Sequence, residues 1–152
     1  MIAAAREGFT SDLNAKREDL GTVRILVADD FDLFRGLVCS ILKEQTGYQI
    51  VGEAADGREA VQRAEELQPD LVVLDMGLPD VRGIEVARRV KLCSPNSRIL
   101  FLTTNHDPEL MCDHQNAGAW GHVLKVDVVA DLVDAAKAIL SGEWFVGPQS
   151  ND

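Results

Sequence analysis

Short, continuously apolar runs alternate with segments of helical period along the chain from Val23 onward. Runs that are apolar at nearly every position are typical of strands buried on both faces, as in a parallel sheet covered by helices. Crossover connections between such strands are right-handed and lay helices on both sides of the sheet. The pattern therefore predicts an α/β fold with a doubly wound, five-stranded parallel sheet. The predicted strands are VRILVADD at 23–30, YQIVGEA at 48–54, DLVVLD at 70–75, RILFLT at 98–103 and GHVLK at 121–125.

Five helices are predicted between and after these strands. The first has apolar residues at the i, i+3, i+4 spacing of one buried face, and Gly47 is predicted to end it. Asp56 is predicted to cap the second helix, which ends before Pro69. The remaining helices are predicted at 84–93, 108–117 and 128–140. The apolar residues of the first helix are Leu33, Phe34, Leu37, Val38, Ile41 and Leu42.

The length and charge of the chain restrict its class. A chain of 152 residues has room for one domain, and 46% apolar with 26% charged residues is a globular composition. The 25 acidic and 15 basic residues give a net charge of −10, and such a surface repels a phosphate backbone. We therefore expect no direct nucleic-acid binding. The predicted segments are an extension at 1–22, helical or disordered, a folded domain at 23–147 and a tail at 148–152.

The cysteines and the apolar runs indicate where the protein is located. Cys39, Cys93 and Cys112 are odd in number and lack CxxC spacing, which argues against a disulfide scaffold or a zinc site and fits a reducing compartment. No apolar run approaches the roughly 20 residues that span a bilayer. Arg6 and Glu7 interrupt the N-terminal alanines before a signal segment can form. We expect a cytoplasmic protein that does not contact a membrane.

Polar side chains stand where the predicted strands end. In an open parallel sheet the ligand site lies beyond the carboxyl ends of the strands, at the switch point in strand order. Carboxylates held together there repel one another and bind protons more tightly unless a cation lies between them. The sequence therefore predicts a site for a hard divalent cation such as Mg²⁺, with an ammonium group beside it. The strand-end residues are Asp29, Asp30, Asp75, Thr103 and Lys125.

This set of groups suits phosphoryl transfer to a carboxylate. The attacking carboxylate and the incoming phosphoryl group are both negative, and a metal ion with a lysine offsets their charge. Aspartyl phosphates are an established form of covalent catalysis. Each residue alone also has an ordinary interpretation, with Asp30 as a helix N-cap, Thr103 as a strand residue and Lys125 as a solvated charge. Their joint occurrence at four strand ends favours a functional site.

Four motifs carry these residues: VRILVADDFDLFR, DLVVLDMGLPDVRGIEVARRV, ILFLTTN and GAWGHVLK. Over about 22–147 the sequence resembles a response-regulator receiver domain of the CheY-like, NarL/FixJ type. The resemblance implies a flavodoxin-like strand order of 2-1-3-4-5. It also implies a phosphoryl donor, either a sensor histidine kinase or a phosphotransfer protein, an unknown output protein and a phosphorylation-dependent homodimer as one candidate assembly. Receivers catalyse only their own phosphorylation and dephosphorylation, so an enzyme in the ordinary sense is not expected.

The resemblance also implies a role for each site residue. Asp75 would be the phosphoacceptor, Thr103 would bond the phosphoryl oxygen and Lys125 would pair with the phosphate. Asp30 and Asp75 would ligate Mg²⁺ directly, with the backbone carbonyl of Gly77 as the remaining protein ligand. Asp29 is implied to act largely through bound water.

The sequence departs from the family at the switch position. Receivers usually carry Tyr or Phe three residues before the lysine, and that aromatic side chain swings inward as the hydroxyl residue, here Thr103, moves. The corresponding residue is His122. Imidazole is smaller and titrates near neutrality. Two interpretations stay open: a weaker or pH-dependent switch, or a tolerated replacement on a surface-facing strand.

A second departure is the segment PELMCDHQNAGAWG, which is more polar than is usual on the output face of the family, so the choice of partner is expected to be unusual. A further observation concerns the end of the sequence. Regulators of this type normally continue into a helix-turn-helix DNA-binding domain of roughly 60 residues, whereas this sequence ends at EWFVGPQSND. We expect a stand-alone receiver or a fragment of a longer protein. Two alternative functions remain: a degenerate receiver that is only a protein-interaction module, and an aspartyl-phosphate phosphatase. The phosphatases resembling haloacid dehalogenases have DxD at the first strand and a cap insertion, whereas here the first strand ends in DDF.

Overall fold

In the part of the chain that the structure describes, a parallel sheet of six strands forms the centre. The structure is a computed structural model that describes residues 21–105 and 118–146. The strands are β1 (Val23–Ala28), β2 (Tyr48–Ala54), β3 (Leu71–Asp75), β4 (Arg98–Thr103), β5 (Gly121–Leu124) and β6 (Phe145–Val146). Their order is β2-β1-β3-β4-β5-β6, and every neighbouring pair is parallel. The order 2-1-3-4-5 is therefore confirmed, and the two-residue β6 is an addition that the pattern did not predict.

Helices cover both faces of this sheet. They are α1 (Asp32–Lys43), α2 (Gly57–Leu67), α3 (Gly83–Cys93) and α4 (Val128–Leu140), and a 3₁₀ turn at Lys125–Asp127 precedes α4. Helices α1 and α4 pack on one face and α2 and α3 on the other, which confirms the doubly wound α/β fold. The predicted helix at 108–117 lies outside the described residues, as do 1–20 and 147–152. Within the described ranges, no helix combines the length and apolar character needed to cross a bilayer.

The apolar runs of the two central strands are fully buried. Leu71–Leu74 of β3 and Ile99–Leu102 of β4 have no solvent exposure. Successive side chains point to opposite faces, so each strand contributes to the core on both sides of the sheet. Burying one Leu, Ile, Val or Phe side chain stabilises the fold by about 1.5–3 kcal/mol. This burial holds the carboxyl ends of β3 and β4 at a fixed edge.

Helix α1 buries a narrower face than its apolar pattern predicts. Phe34, Val38 and Leu42 pack into the core at i, i+4 spacing. Leu33 and Leu37 are instead 78% and 41% exposed, so the prediction that they belong to the buried face was wrong. Each lies one position before a core residue, which turns it by about 100° around the helix axis. The sheet reaches only the inner stripe of the helix.

Helix α1 also ends earlier than its glycine signal predicts. The last helical residue is Lys43, and the C-cap Glu44 has right-handed backbone angles. Gly47 has a φ of +85° and lies in the turn before Tyr48. Its carbonyl accepts the N–H of Val23 at 2.7 Å. The left-handed glycine therefore directs the chain into β2 and does not end the helix.

Side chains hold both ends of α2. At its N-terminus, Asp56 accepts the N–H of Glu59 at 2.8 Å, which confirms the predicted cap. At its C-terminus, Gln68 has a left-handed φ of +48°. Its side-chain amide donates to the carbonyls of Glu65 at 2.9 Å and Cys93 at 3.0 Å, so it joins the ends of α2 and α3. These bonds offset a backbone strain of roughly 1–2 kcal/mol for a residue other than glycine.

We expect Gln68→Ala to lower the free energy of unfolding by about 1–2 kcal/mol, because the helix-end carbonyls lose a donor while the backbone strain remains. Gln68→Gly should lower it less, since glycine adopts a positive φ without strain. Urea denaturation measures both effects. The control is Gln62→Ala on the same helix, where the amide makes only a 3.4 Å contact with Glu66. If Gln68→Ala and Gln62→Ala lower the free energy of unfolding equally, the contacts of Gln68 with the ends of α2 and α3 do not stabilise the fold.

Candidate functional site

The register of β1 and β3 brings two aspartates side by side. Ala28 pairs with Leu74, so the residues that follow them, Asp29 and Asp75, are neighbours at the carboxyl edge of the sheet. Asp29 is 0% and Asp75 3% exposed, whereas the adjacent Asp30 is exposed. One carboxylate oxygen from each of the three lies within 4.8 Å of the others. The predicted clustering of these acidic residues is therefore found.

Lys125 places a positive charge between the two buried aspartates. Its Nζ lies 3.1 Å from Oδ2 of Asp29 and 3.1 Å from Oδ1 of Asp75. The lysine is the first residue of the 3₁₀ turn that follows β5. Its ammonium group also lies 4.9 Å from the centre of the Phe34 ring, a distance at which a cation and an aromatic face attract each other. Helix α1 therefore helps to position the lysine.

Backbone N–H groups orient both buried carboxylates. Gly77 donates to Oδ1 of Asp75 at 2.9 Å, and Phe31 donates to Oδ1 of Asp29 at 2.8 Å. Each is a local bond to the residue two positions earlier, the pattern of an Asx turn. Lys125 contacts the second oxygen of Asp29 but the same Oδ1 of Asp75. Both of these contacts with Asp75 therefore go to the same oxygen, Oδ1.

Burial and the neighbouring charges shift the pKa values of both Asp75 and Lys125. Burial raises the pKa of the Asp75 carboxyl, the charge of Asp29 raises it further, and the Gly77 N–H and Lys125 offset only part of the rise. Burial alone would lower the pKa of Lys125. The hydrogen bond to Asp29 and the charge of Asp75 outweigh burial and raise that pKa above its usual value. The ammonium is therefore charged at neutral pH beside a carboxylate that is costly to ionise.

Thr103 lies at the carboxyl end of β4, next to β3, and is 4% exposed. Its Oγ1 is buried and has no hydrogen-bond partner among the residues that the structure describes. Leaving a buried hydroxyl without a partner costs about 1–3 kcal/mol. Such a group is a candidate for contact with a ligand.

His122 is buried in β5 and is only 1% exposed. The interpretation that it lies on a surface-facing strand is therefore wrong. Its neighbour Val123 points into the core beneath α1 and α4, so His122 points to the opposite face, as Phe101 does on β4. Since Phe101 pairs with His122 and Thr103 with Leu124, Thr103 and His122 are diagonal neighbours on that face.

A cavity of about 430 Å³ opens beside these groups. Sequence analysis assigned no role to four of its residues, Met76, Arg82, Gly83 and Thr104. All four lie within two of the quoted motifs, DLVVLDMGLPDVRGIEVARRV and ILFLTTN, and that position is the signal that could have found them. The lining residues are Asp30, Asp75, Met76, Gly77, Arg82, Gly83, Thr104 and Lys125. A second cavity of about 540 Å³, which includes Arg24, Asp70 and Arg98, contains none of the predicted site residues.

Residues 25–137 match the family profile described as response regulator receiver domain. The chain belongs to this family. A receiver domain is part of a two-component system, partners with a histidine kinase and is not a conventional enzyme. The acidic triad of Asp29, Asp30 and Asp75 is typical of the Mg²⁺ site of receiver domains.

Individual relatives agree with the predicted NarL-type resemblance. The receiver is 32% identical to the response regulator GacA of Pseudomonas viridiflava over 127 residues, which are 84% of this chain and 59% of GacA. The chain thus spans about three fifths of the length of that curated relative. It is 36% identical to a LuxR-family two-component response regulator from Aurantimonas sp. SI85-9A1, with a TM-score of 0.77 over 81% of this chain and 88% of that one. It is 32% identical to the signal receiver domain of NarL from Mycobacterium tuberculosis, with a TM-score of 0.68 over 76% and 97% of the two chains.

We expect Asp75→Asn to raise the free energy of unfolding of the metal-free receiver at pH 7. The folded-state pKa of Asp75 is raised, so its ionised form destabilises the fold, and the neutral amide removes that penalty. The gain should shrink as the pH falls through the raised pKa toward the unfolded-state value, because the wild-type carboxyl then becomes neutral as well. Urea denaturation in a chelator at several pH values measures this dependence.

The control for this variant is Asp134→Asn, which removes one negative charge from an exposed position of α4. It reports the general benefit of lowering the net charge of an acidic protein. An equal gain from the two substitutions would contradict the argument, because burial at Asp75 would then contribute nothing.

Proposed function

We propose that the protein accepts a phosphoryl group on Asp75 within a two-component phosphorelay. The observation that supports this role most strongly is the Lys125 ammonium, 3.1 Å from both Asp75 and Asp29. An aspartate that reacts with a phosphoryl donor gathers negative charge, and a fixed cation at this distance stabilises it. A receiver that had become only an interaction module would not need this arrangement of buried charges.

The proposed reaction transfers the phosphoryl group from a phosphohistidine of the kinase or of a phosphotransfer protein. An oxygen of Asp75 attacks phosphorus, the P–N bond breaks, and the imidazole nitrogen leaves with the electron pair. The product is an aspartyl phosphate, which water later hydrolyses to aspartate and phosphate. The described contacts of Asp75 both go to Oδ1, so we assign the attack to Oδ2.

Mg²⁺ is the proposed cofactor of this transfer. The residues that would hold it are Asp30 and Asp75 directly, the Gly77 backbone carbonyl, and Asp29 largely through bound water. The fit rests on three carboxylate oxygens within 4.8 Å of one another and on a donor set made only of oxygen, which suits a hard cation. When bound, the ion supplies positive charge that offsets the charge of the aspartates and the phosphoryl oxygens.

Thr103 and His122 are proposed to form the switch. The buried Oγ1 of Thr103 has no partner among the described residues and would gain one by donating to a phosphoryl oxygen on Asp75. His122 lies diagonally from Thr103 on the same face of the sheet. A displacement of Thr103 would therefore reach His122, whose imidazole is smaller than the usual aromatic ring of receivers. The output protein that responds to this change is unknown, and a second copy of the chain is one candidate.

Exposed apolar side chains beside the site offer a contact surface for the phosphoryl donor. Phe31 and Leu33 are 60% and 78% exposed near Asp30, and Val126, which follows Lys125, is 84% exposed. Grouped apolar side chains on a protein surface mark interaction sites. We propose that the histidine-bearing domain docks here, because the phosphohistidine must reach Asp75. A cytoplasmic location and a receiver spanning 23–147 between two flanking segments, at 1–22 and 148–152, are part of the same proposal.

Incubation with acetyl phosphate and Mg²⁺ should add one phosphoryl group to the wild-type protein, as detected by intact-mass measurement. Asp75→Asn should take up none, and a chelator should abolish uptake by the wild type. Lys125→Ala should slow uptake by about 100-fold, a loss typical of removing one group that stabilises charge in the transition state. The control is Lys137→Ala at an exposed position of α4, which should react at the wild-type rate. An undiminished adduct on Asp75→Asn would overturn the assignment.

Thr103→Ala should still be phosphorylated but should lose the response to it. In amide NMR spectra, phosphorylation of the wild type is expected to shift resonances along β4 and β5, whereas in Thr103→Ala the shifts stay next to Asp75. The matched variant Thr103→Ser keeps the hydroxyl and should keep the long-range shifts. Equal long-range shifts in the alanine variant and the wild type would exclude Thr103 from the switch.

A further inference from the structure

The carboxylate of Asp80 joins two segments that are distant in the sequence. Asp80 lies in the loop at 76–82, which leads from Asp75 to α3. Its Oδ1 accepts the N–H of Gly57 at 2.7 Å, and its Oδ2 accepts the N–H of Arg58 at 3.0 Å. These are the first two N–H groups of α2, which have no partner within the helix. The two bonds also lower the pKa of Asp80, so the group is ionised at neutral pH.

Close packing at both ends reinforces this connection. A β-carbon on Gly57 would come within 2.8 Å of side-chain atoms of Val81 and Val86. A β-carbon on Gly83 would come within 2.8 Å of the Cα of Met76. The two glycines thus allow the N-termini of α2 and α3 to approach the loop more closely than any other residue type would. The loop is held between the two helices.

Helix α2 has a cap that does not depend on Asp80. Asp56 accepts the N–H of Glu59 at 2.8 Å, and the Glu59 side chain accepts the N–H of Ala55 at 2.9 Å. The two bonds made by Asp80 are therefore additional to those that begin the helix. Their distinctive effect is on the loop, in which four residues separate Asp80 from Asp75. Gly77, one of those four residues, donates its N–H to Asp75 and lines the cavity of the site.

We propose that Asp80 is a positioning residue for the metal site, holding the loop so that the Gly77 carbonyl and Asp75 keep the geometry that Mg²⁺ requires. This inference rests on the proposed function, in which Gly77 and Asp75 are ligands. A loop released from α2 would sample more conformations, and that freedom would have to be lost each time the ion bound. Removing Asp80 should therefore weaken Mg²⁺ binding although Asp80 itself touches no ion.

Calorimetric titration of the full chain with Mg²⁺ tests this role without any phosphoryl transfer. Asp80→Ala should raise the dissociation constant for Mg²⁺ by about tenfold, the low end of the range for residues that orient metal ligands. Asp80→Asn keeps one acceptor oxygen, so its dissociation constant for Mg²⁺ should lie between those of the wild type and Asp80→Ala. It replaces Asp80→Ala in the test if the alanine variant fails to fold. Asp56→Ala is the matched control, because it removes a cap from the same helix without releasing the loop. It should lower thermal stability and leave the dissociation constant unchanged.

The outcomes separate this inference from the proposed function. If Asp80→Ala and the wild type bind Mg²⁺ with equal affinity, the positioning role is overturned and the metal site stands. An equal loss of affinity in Asp56→Ala also overturns it, since the effect would then belong to α2 in general. If the wild type itself does not bind Mg²⁺, the metal site fails and this inference fails with it.

Discussion

Two buried carboxylates, Asp29 and Asp75, lie side by side, and the rest of the site depends on how their repulsion is balanced. The parallel register of β1 and β3 puts them there, and the apolar interiors of these strands keep them from moving apart. Lys125 bridges the pair, and local N–H groups orient each carboxylate. The fold thus maintains an excess of negative charge at one edge of the sheet, where a cation and a phosphoryl group are proposed to act.

Much of this architecture follows from the sequence because its causes are local. The strands at 48–54 and 98–103 and the helix at 128–140 have the predicted limits, since apolar periodicity and turn residues define them directly. The clustering of Asp29, Asp30, Asp75 and Lys125 also follows, because parallel strands present their carboxyl ends at one edge. The roles of these residues and the strand order came from the family resemblance, which periodicity alone could not replace.

The features that the sequence did not reveal depend on contacts between distant segments. The helical pattern cannot tell which flank of α1 the sheet leaves uncovered, so it predicts Leu33 and Leu37 in the core although both are exposed. Asp80 accepts a hydrogen bond from Gly57, which lies 23 positions earlier in the sequence at the start of another helix. The left-handed Gln68 likewise bonds Cys93 at the end of α3, in addition to its local bond with Glu65. No nearby sequence pattern indicates such long-range pairs.

The short strand β6 affects whether the sheet edges of two molecules of this protein can pair. By pairing with β5 it occupies the backbone groups of Gly121 and His122 that another chain could otherwise join. Gly121 makes this possible, because a β-carbon there would collide with the backbone of Phe145. On the opposite margin, β2 carries the charged Glu53 at an exposed position. The two-residue strand β6 at one edge of the sheet and the charge of Glu53 at the other thus oppose the addition of strands from other molecules, which would extend the sheet into a fibre.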